Sequence, residues 1–311
     1  MGEKITAKPS EGVTARITSI NGIPVNIKAQ EIEIPLVPTK SVDKQLPSFY
    51  YMDEKRSQTP NIKHDLDIDG DGIADKFHSD TGAIYVKNHC PAAKQLTKPF
   101  NERPDVVINT SSIDISIEDL KKQGFPITNR NLSNYKNKLI GMYVFSTDLT
   151  RDAEINTYNK QNIPVFLAAG NNPDKFKFES LLPGTITVGA LEHKPKKNWQ
   201  LEPAYYSSNT DLVNQWEQGT YLVRVIRNPK GEISGYNITN GKTVDIPVEQ
   251  TSAKGKDIKT RTIKWGASGE TYELVENVLV TAGTSWAAPT AAGKYLRQKF
   301  GNACDLPNST K

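Results

Sequence analysis

From about residue 105 the chain repeats one pattern: a short apolar run, then a polar stretch of helical character. The runs are Val106-Val-Ile108, Ile140-Gly-Met-Tyr-Val-Phe145, Ile163-Pro-Val-Phe-Leu-Ala-Ala169 and Thr185-Ile-Thr-Val188. The first three lack the polar–apolar alternation of a half-solvated strand, so they read as strands covered on both faces. Asp152 to Asn162 reads as a helix, with Asp152 near the positive end of its dipole. Thr284 to Phe300 reads as another and ends before Gly301. Parallel strands need a long crossover, usually a helix, so this alternation predicts an α/β fold: a parallel sheet with helices on both faces.

Two regions depart from that grammar. Residues 1–60 read as a β-rich N-terminal extension. Two short apolar stretches flank Asn21-Gly22, a two-residue hairpin signal, because both turn residues need positive φ. Ile32 to Val37 follows as an edge strand, since Pro35 cannot donate to a ladder on both sides. Residues 61–311 read as the main domain, with a β-hairpin insertion at about 220–278. There Tyr221–Ile226 precedes Asn228 to Gly231, Ser234–Ile238 and Thr243–Ile246 flank Asn240-Gly241, and Thr260–Trp265 and Thr271–Val275 flank Gly266 to Gly269.

Charge and composition narrow the partners. The net charge of +4 is spread along the chain, and the one basic tract, His193 to Lys197, lacks interleaved aromatics. Neither feature fits a nucleic-acid surface. No apolar run reaches the length of a membrane span. The first residues, Met1 to Gly12, carry no apolar segment of the kind a signal peptide needs. Two cysteines, Cys90 and Cys304, are too few for a disulfide scaffold or a zinc ribbon; they either form one bridge or stay reduced.

Chemistry concentrates in Ala282-Gly283-Thr284-Ser285-Trp286-Ala287-Ala288-Pro289. Gly283 gives the backbone a freedom other residues lack. Thr284 or Ser285 then starts a helix, so free N–H groups and the positive dipole end surround the serine hydroxyl. That arrangement suits an oxyanion formed beside it. Ala287, Ala288, Ala291, Ala292 and Gly293 let the helix approach its neighbours closely, and Pro289 lies near the first turn, where a missing N–H matters least. The second segment, Val165 to Asn172, is a strand that ends in Gly170-Asn171. An amide there sits at the carboxyl edge of the sheet, where α/β folds place ligands.

Together the two segments resemble the subtilisin-like serine proteases (peptidase S8). Gly283 to Pro289 fills that family's Gly-Thr-Ser-x-Ala-x-Pro motif, and Ala168 to Asn171 matches its Ala-Ala-Gly-Asn. Asp105 to Ser112, Thr185 to Ala190, Tyr205 to Ser208 and Pro91 to Lys94 resemble further family segments in the family's order. The likeness spans about residues 61–300 and implies a subtilisin-like core. It implies Ser285 as nucleophile, Asn171 as oxyanion donor, and Ser111, Ser112 and Ile113 along one side of a polypeptide substrate. His78 is the implied base, opening a helix 13 residues before Pro91, although Ser79 and Gly82 depart from the family pattern. Most such proteins are exported, which favours a secreted mature form, with a cytoplasmic protein as the alternative.

The acid that orients the histidine has several candidates. Asp69, which ends the run Leu66-Asp-Ile-Asp69, is favoured; Asp53, at the end of Phe49-Tyr-Tyr-Met-Asp53, and Asp67 stand behind it. The same stretch also has the spacing of a calcium loop. Asp67, Asp69, Asp71 and Asp75 fall at positions 1, 3, 5 and 9, with Gly72 at position 6 and His78 where a glutamate would complete the site. The chemistry needs no cofactor, and calcium would be structural. The competing functional reading is a catalytically silent binding protein on the same fold.

Overall fold

The computed structural model describes residues 19–20, 23–24, 46–52, 78–97, 102–143, 149–194, 200–227, 229, 233–238, 260–265, 270–275 and 278–305. The hairpin around Asn21-Gly22 pairs β1 (Ser19–Ile20) with β2 (Ile23–Pro24). The centre of the molecule is a seven-stranded sheet. Five of its strands run parallel in the order β9 (Thr185–Lys194), β7 (Val165–Ala168), β5 (Val106–Asn109), β3 (Ser48–Tyr51) and β4 (Lys94–Leu96). At the far edge β10 (Gln200–Pro203) pairs antiparallel with β9, and β11 (Gln215–Gln218) pairs parallel with it. The main sheet therefore takes in residues 48–51, N-terminal of the boundary expected at residue 61.

Helices cover both faces, as the α/β pattern predicts. Successive strand residues point to opposite sides. Val107 and Val165 face a core built with α2 (Ile117–Lys122), α3 (Lys136–Tyr143) and α4 (Leu149–Lys160), through Leu120, Leu139, Ile155 and Tyr158. Val106, Ile108, Phe166 and Ala168 face the other core. It is built with α1 (His78–His89) and α5 (Thr284–Phe300), through Ala83, Val86, Ala287, Ala288, Ala291 and Leu296. The small residues of α5 set its distance from α1. A Cβ at Gly293 would lie 2.6 Å from the Val86 carbonyl oxygen, so the two helices meet backbone to backbone. Cys90 and Cys304 form a disulfide that ties the end of α1 to the turn after α5.

One expected strand is a helix. Ile140 to Phe145 reads as buried β, but residues up to Tyr143 belong to α3. There Leu139 is buried while Gly141 and Met142 face solvent, so only one side of the segment reaches the core. A short apolar run carries no period long enough to tell the two states apart.

The insertion is β, as expected. β12 (Thr220–Arg227) pairs antiparallel with β13 (Ile233–Ile238) and with β16 (Val278–Ala282), and β14 (Thr260–Trp265) pairs with β15 (Glu270–Val275). A last two-stranded ribbon joins β6 (Asp114–Ser116) to β8 (Lys175–Lys177) beyond the ends of β5 and β7. The segments expected at Ile32–Val37, Leu66–Asp69 and Thr243–Ile246 lie outside the described residues.

Candidate active site

β16 delivers the chain to Gly283, and α5 begins at Thr284. Gly283 does not use a glycine-only conformation: its φ of 166° is extended backbone. Nor do sterics demand glycine: a Cβ here would meet its neighbours only at ordinary van der Waals distances. A Cβ would lie 3.4 Å from Asn171 Nδ2 and 3.7 Å from the Ser285 nitrogen, in the room between two donors. Ser285 is the second residue of α5, within the first turn, where backbone N–H groups have no helical acceptor.

Asn171 is held in one orientation from the helix. Its Oδ1 accepts from the Thr284 backbone N–H at 2.8 Å and from the Thr284 hydroxyl at 2.9 Å. The same hydroxyl oxygen accepts from the Gly170 N–H at 3.1 Å, and Thr284 is 1% exposed. With the amide oxygen occupied, its NH₂ turns toward Gly283. Gly170 has φ +105°, a conformation that favours glycine, and lets the chain reverse between β7 and Asn171. Ser208 fixes this turn from behind, its N–H donating to the Gly170 carbonyl at 2.9 Å and its hydroxyl to the Lys175 carbonyl at 2.7 Å.

His78 opens α1 at the same edge of the sheet. Its Nδ1 lies 3.4 Å from the hydroxyl of Thr110, which follows β5. Its ring lies against that of Trp286, with centroids 4.7 Å apart, and Tyr51 meets it edge-on at 6.4 Å. Tyr51 also donates to the Ser285 carbonyl oxygen at 3.4 Å. In a regular helix that carbonyl would receive the N–H of the residue four positions on, which here is Pro289 and has none. Ser285 thus shares Tyr51 with His78, and the Gly283–Thr284 turn before it holds Asn171.

Three contributors here were not anticipated from sequence: Thr110 beside the imidazole, Tyr51 between His78 and α5, and Trp286 against the ring. Nothing in the local sequence around them marks these three side chains as neighbours of His78. Trp286 occupies the variable position of the serine motif. On its other side it stacks on Tyr85 at 5.2 Å, which continues to Tyr221 at 4.7 Å.

Of the expected substrate-side residues, Ser111 donates its N–H to Asn109 Oδ1 at 3.2 Å, the Ser112 carbonyl accepts from Lys177 Nζ at 3.0 Å, and Ile113 is 41% exposed. Asp53, Asp67, Asp69, Asp71 and Asp75 lie outside the described residues. Among the described residues no cluster of three or more His, Cys, Asp or Glu side chains suits a metal ion. Also among them, no helix is long and apolar enough to cross a membrane. His193 is buried within β9, and His89 closes α1. Burial, and then the nearby Lys294 ammonium, hold the His89 imidazole below its ordinary pKa.

No family model matches the chain, and no curated protein matches it. Several solved structures show likeness, two of them as follows. One is a PatG macrocyclase in complex with peptide, at 14% identity and a TM-score of 0.29, over 67% of this chain and 47% of that one. The other is a lanthipeptide protease, at 16% identity and a TM-score of 0.35, over 83% of this chain and 75% of that one. The chain thus spans about half the length of the macrocyclase it matches.

Proposed function

We propose that this chain is a serine endopeptidase of the subtilisin type. The observation that carries the reading is the lock on Asn171. Thr284 occupies the amide oxygen from two sides, which presents the NH₂ beside the Ser285 N–H at a helix N-terminus. Two donors converging on one point, next to a hydroxyl, are what a tetrahedral oxyanion needs.

In this reading Ser285 Oγ attacks a peptide carbonyl carbon, and His78 takes the hydroxyl proton on Nε2. The carbonyl oxygen becomes an anion held by Asn171 Nδ2 and the Ser285 N–H. His78 then returns the proton to the departing amine as the C–N bond breaks, leaving an acyl-serine for water to hydrolyse through the same steps.

For the acid, Asp69 stands first, with Asp53 and Asp67 behind it. That carboxylate would hold the imidazole tautomer and stabilise the imidazolium.

The test is covalent labelling by a fluorophosphonate, expected to occur and to be lost in Ser285→Ala. Asp69→Asn is expected to lower kcat by roughly 10³–10⁴, and Asp53→Asn to leave it within a few-fold. Absence of both labelling and cleavage of an unfolded protein rejects the reading in favour of a silent binding protein.

A further inference from the structure

We infer that Lys177 closes the groove on the acyl side of the scissile bond and restricts the residue there to a short side chain. The inference rests on the proteolytic reading above.

β5 and β7 are parallel neighbours, and in this reading their extensions past the sheet are the two walls of the groove. One wall is Thr110 to Ile113, beginning at the His78 contact. The other is Gly170-Asn171, which carries the oxyanion amide. A peptide carbonyl seated on Asn171 Nδ2 and the Ser285 N–H directs the side chain of its own residue into the room between these walls. Farther out the walls are joined by the β6–β8 ribbon, in which Asp114 stands directly opposite Lys177.

Lys177 does not extend into solvent from that position. Its stem folds back over Gly170, where a Cβ would lie 3.4 Å from Lys177 Cε and 3.8 Å from Cδ. Its ammonium donates to the Ser112 carbonyl at 3.0 Å, on the opposite wall, and lies 3.0 Å from Asp114 Oδ1. The Lys177 side chain is 12% exposed, against 42% for Asp114. The lysine therefore spans the groove from one wall to the other. A long substrate side chain has to expel the stem, break the Ser112 bond and separate a largely desolvated ammonium from its carboxylate, which is costly once the pair is shielded from water. A glycine, alanine or serine leaves the bridge in place. The charge on Lys177 is already balanced by Asp114, so the device selects by size.

The experiment uses the full chain and a peptide series that varies only the residue before the scissile bond: Gly, Ala, Ser, Leu, Phe, Asp and Arg. The wild type is expected to prefer Ala and Ser over Leu and Phe by at least about tenfold in kcat/KM. Lys177→Ala is expected to reverse that ratio while labelling at Ser285 persists. Should Lys177→Ala not fold, the wild-type profile decides: equal cleavage after Leu, Phe and Ala overturns the inference. An unchanged ratio in a folded Lys177→Ala overturns it too, as does a wild-type profile led by Asp or Arg, which would make charge the selector. Absence of fluorophosphonate labelling in the wild type is a different failure and removes the proteolytic reading.

Discussion

Asn171 offers a way to separate catalysis from folding, because its two amide atoms face different tasks. Oδ1 accepts from the Thr284 N–H and hydroxyl, and Nδ2 faces the oxyanion position. Asn171→Ala removes both functions. It orphans the N–H and hydroxyl of a residue only 1% exposed, at about 1–3 kcal/mol for an unsatisfied buried group. In a domain of this size that lowers Tm by roughly 2–6 °C. Loss of one oxyanion donor also lowers kcat by about 10²–10³. Asn171→Asp keeps an acceptor for Thr284 and adds a negative charge near the α5 N-terminus, where the dipole favours it. It should match or exceed the wild type in stability. In place of the donor, however, it presents an anionic oxygen to the developing oxyanion, so its kcat should fall below that of the alanine variant. Thermal melts alongside kcat on one peptide substrate read both quantities. An aspartate variant less stable than the alanine variant, or one within tenfold of wild-type activity, would refute the geometry argued for this amide.

Gly283→Ala should fold normally, since φ of 166° suits any residue, yet its methyl enters the room between Asn171 Nδ2 and the Ser285 nitrogen. A kcat loss of at least about tenfold with an unchanged Tm is expected, and full activity would count against an anion site at that point. Replacing both Cys90 and Cys304 by serine frees a loop with a sequence separation of 214. Chain entropy puts that at about 5 kcal/mol, and a denaturant titration showing less than about 1 kcal/mol would contradict it. The His89 imidazole, lowered from 6.5 first by burial and then by Lys294, binds its proton more weakly when folded. It therefore contributes stability above pH 6.5 that is lost as pH falls through the depressed folded value. Melts between pH 5 and 8 should show a shallower acid decline for His89→Gln, and identical slopes would remove His89 from the account.

Much of the local structure was legible because it depends on neighbours in sequence. α5 runs from Thr284 to Phe300 as its composition predicts, and β1 and β2 pair on either side of Asn21-Gly22. Helices alternating with short apolar strands announced the sheet and its two covered faces. The serine and the Gly-Asn turn could be singled out because their chemistry is written in short strings, although what brings them to one edge of the sheet is the order β9-β7-β5-β3-β4. Tertiary structure decided what depends on distant partners. It made Ile140 helical by offering a core to only one side of the segment, and it drew residues 48–51 into the middle of the sheet. It paired Cys90 with Cys304, laid Lys177 over Gly170, and turned the Asn171 amide by giving its oxygen to Thr284. None of these has a local signature, because each is set by contacts between residues that only the packed sheet and its helices bring within hydrogen-bonding or van der Waals range.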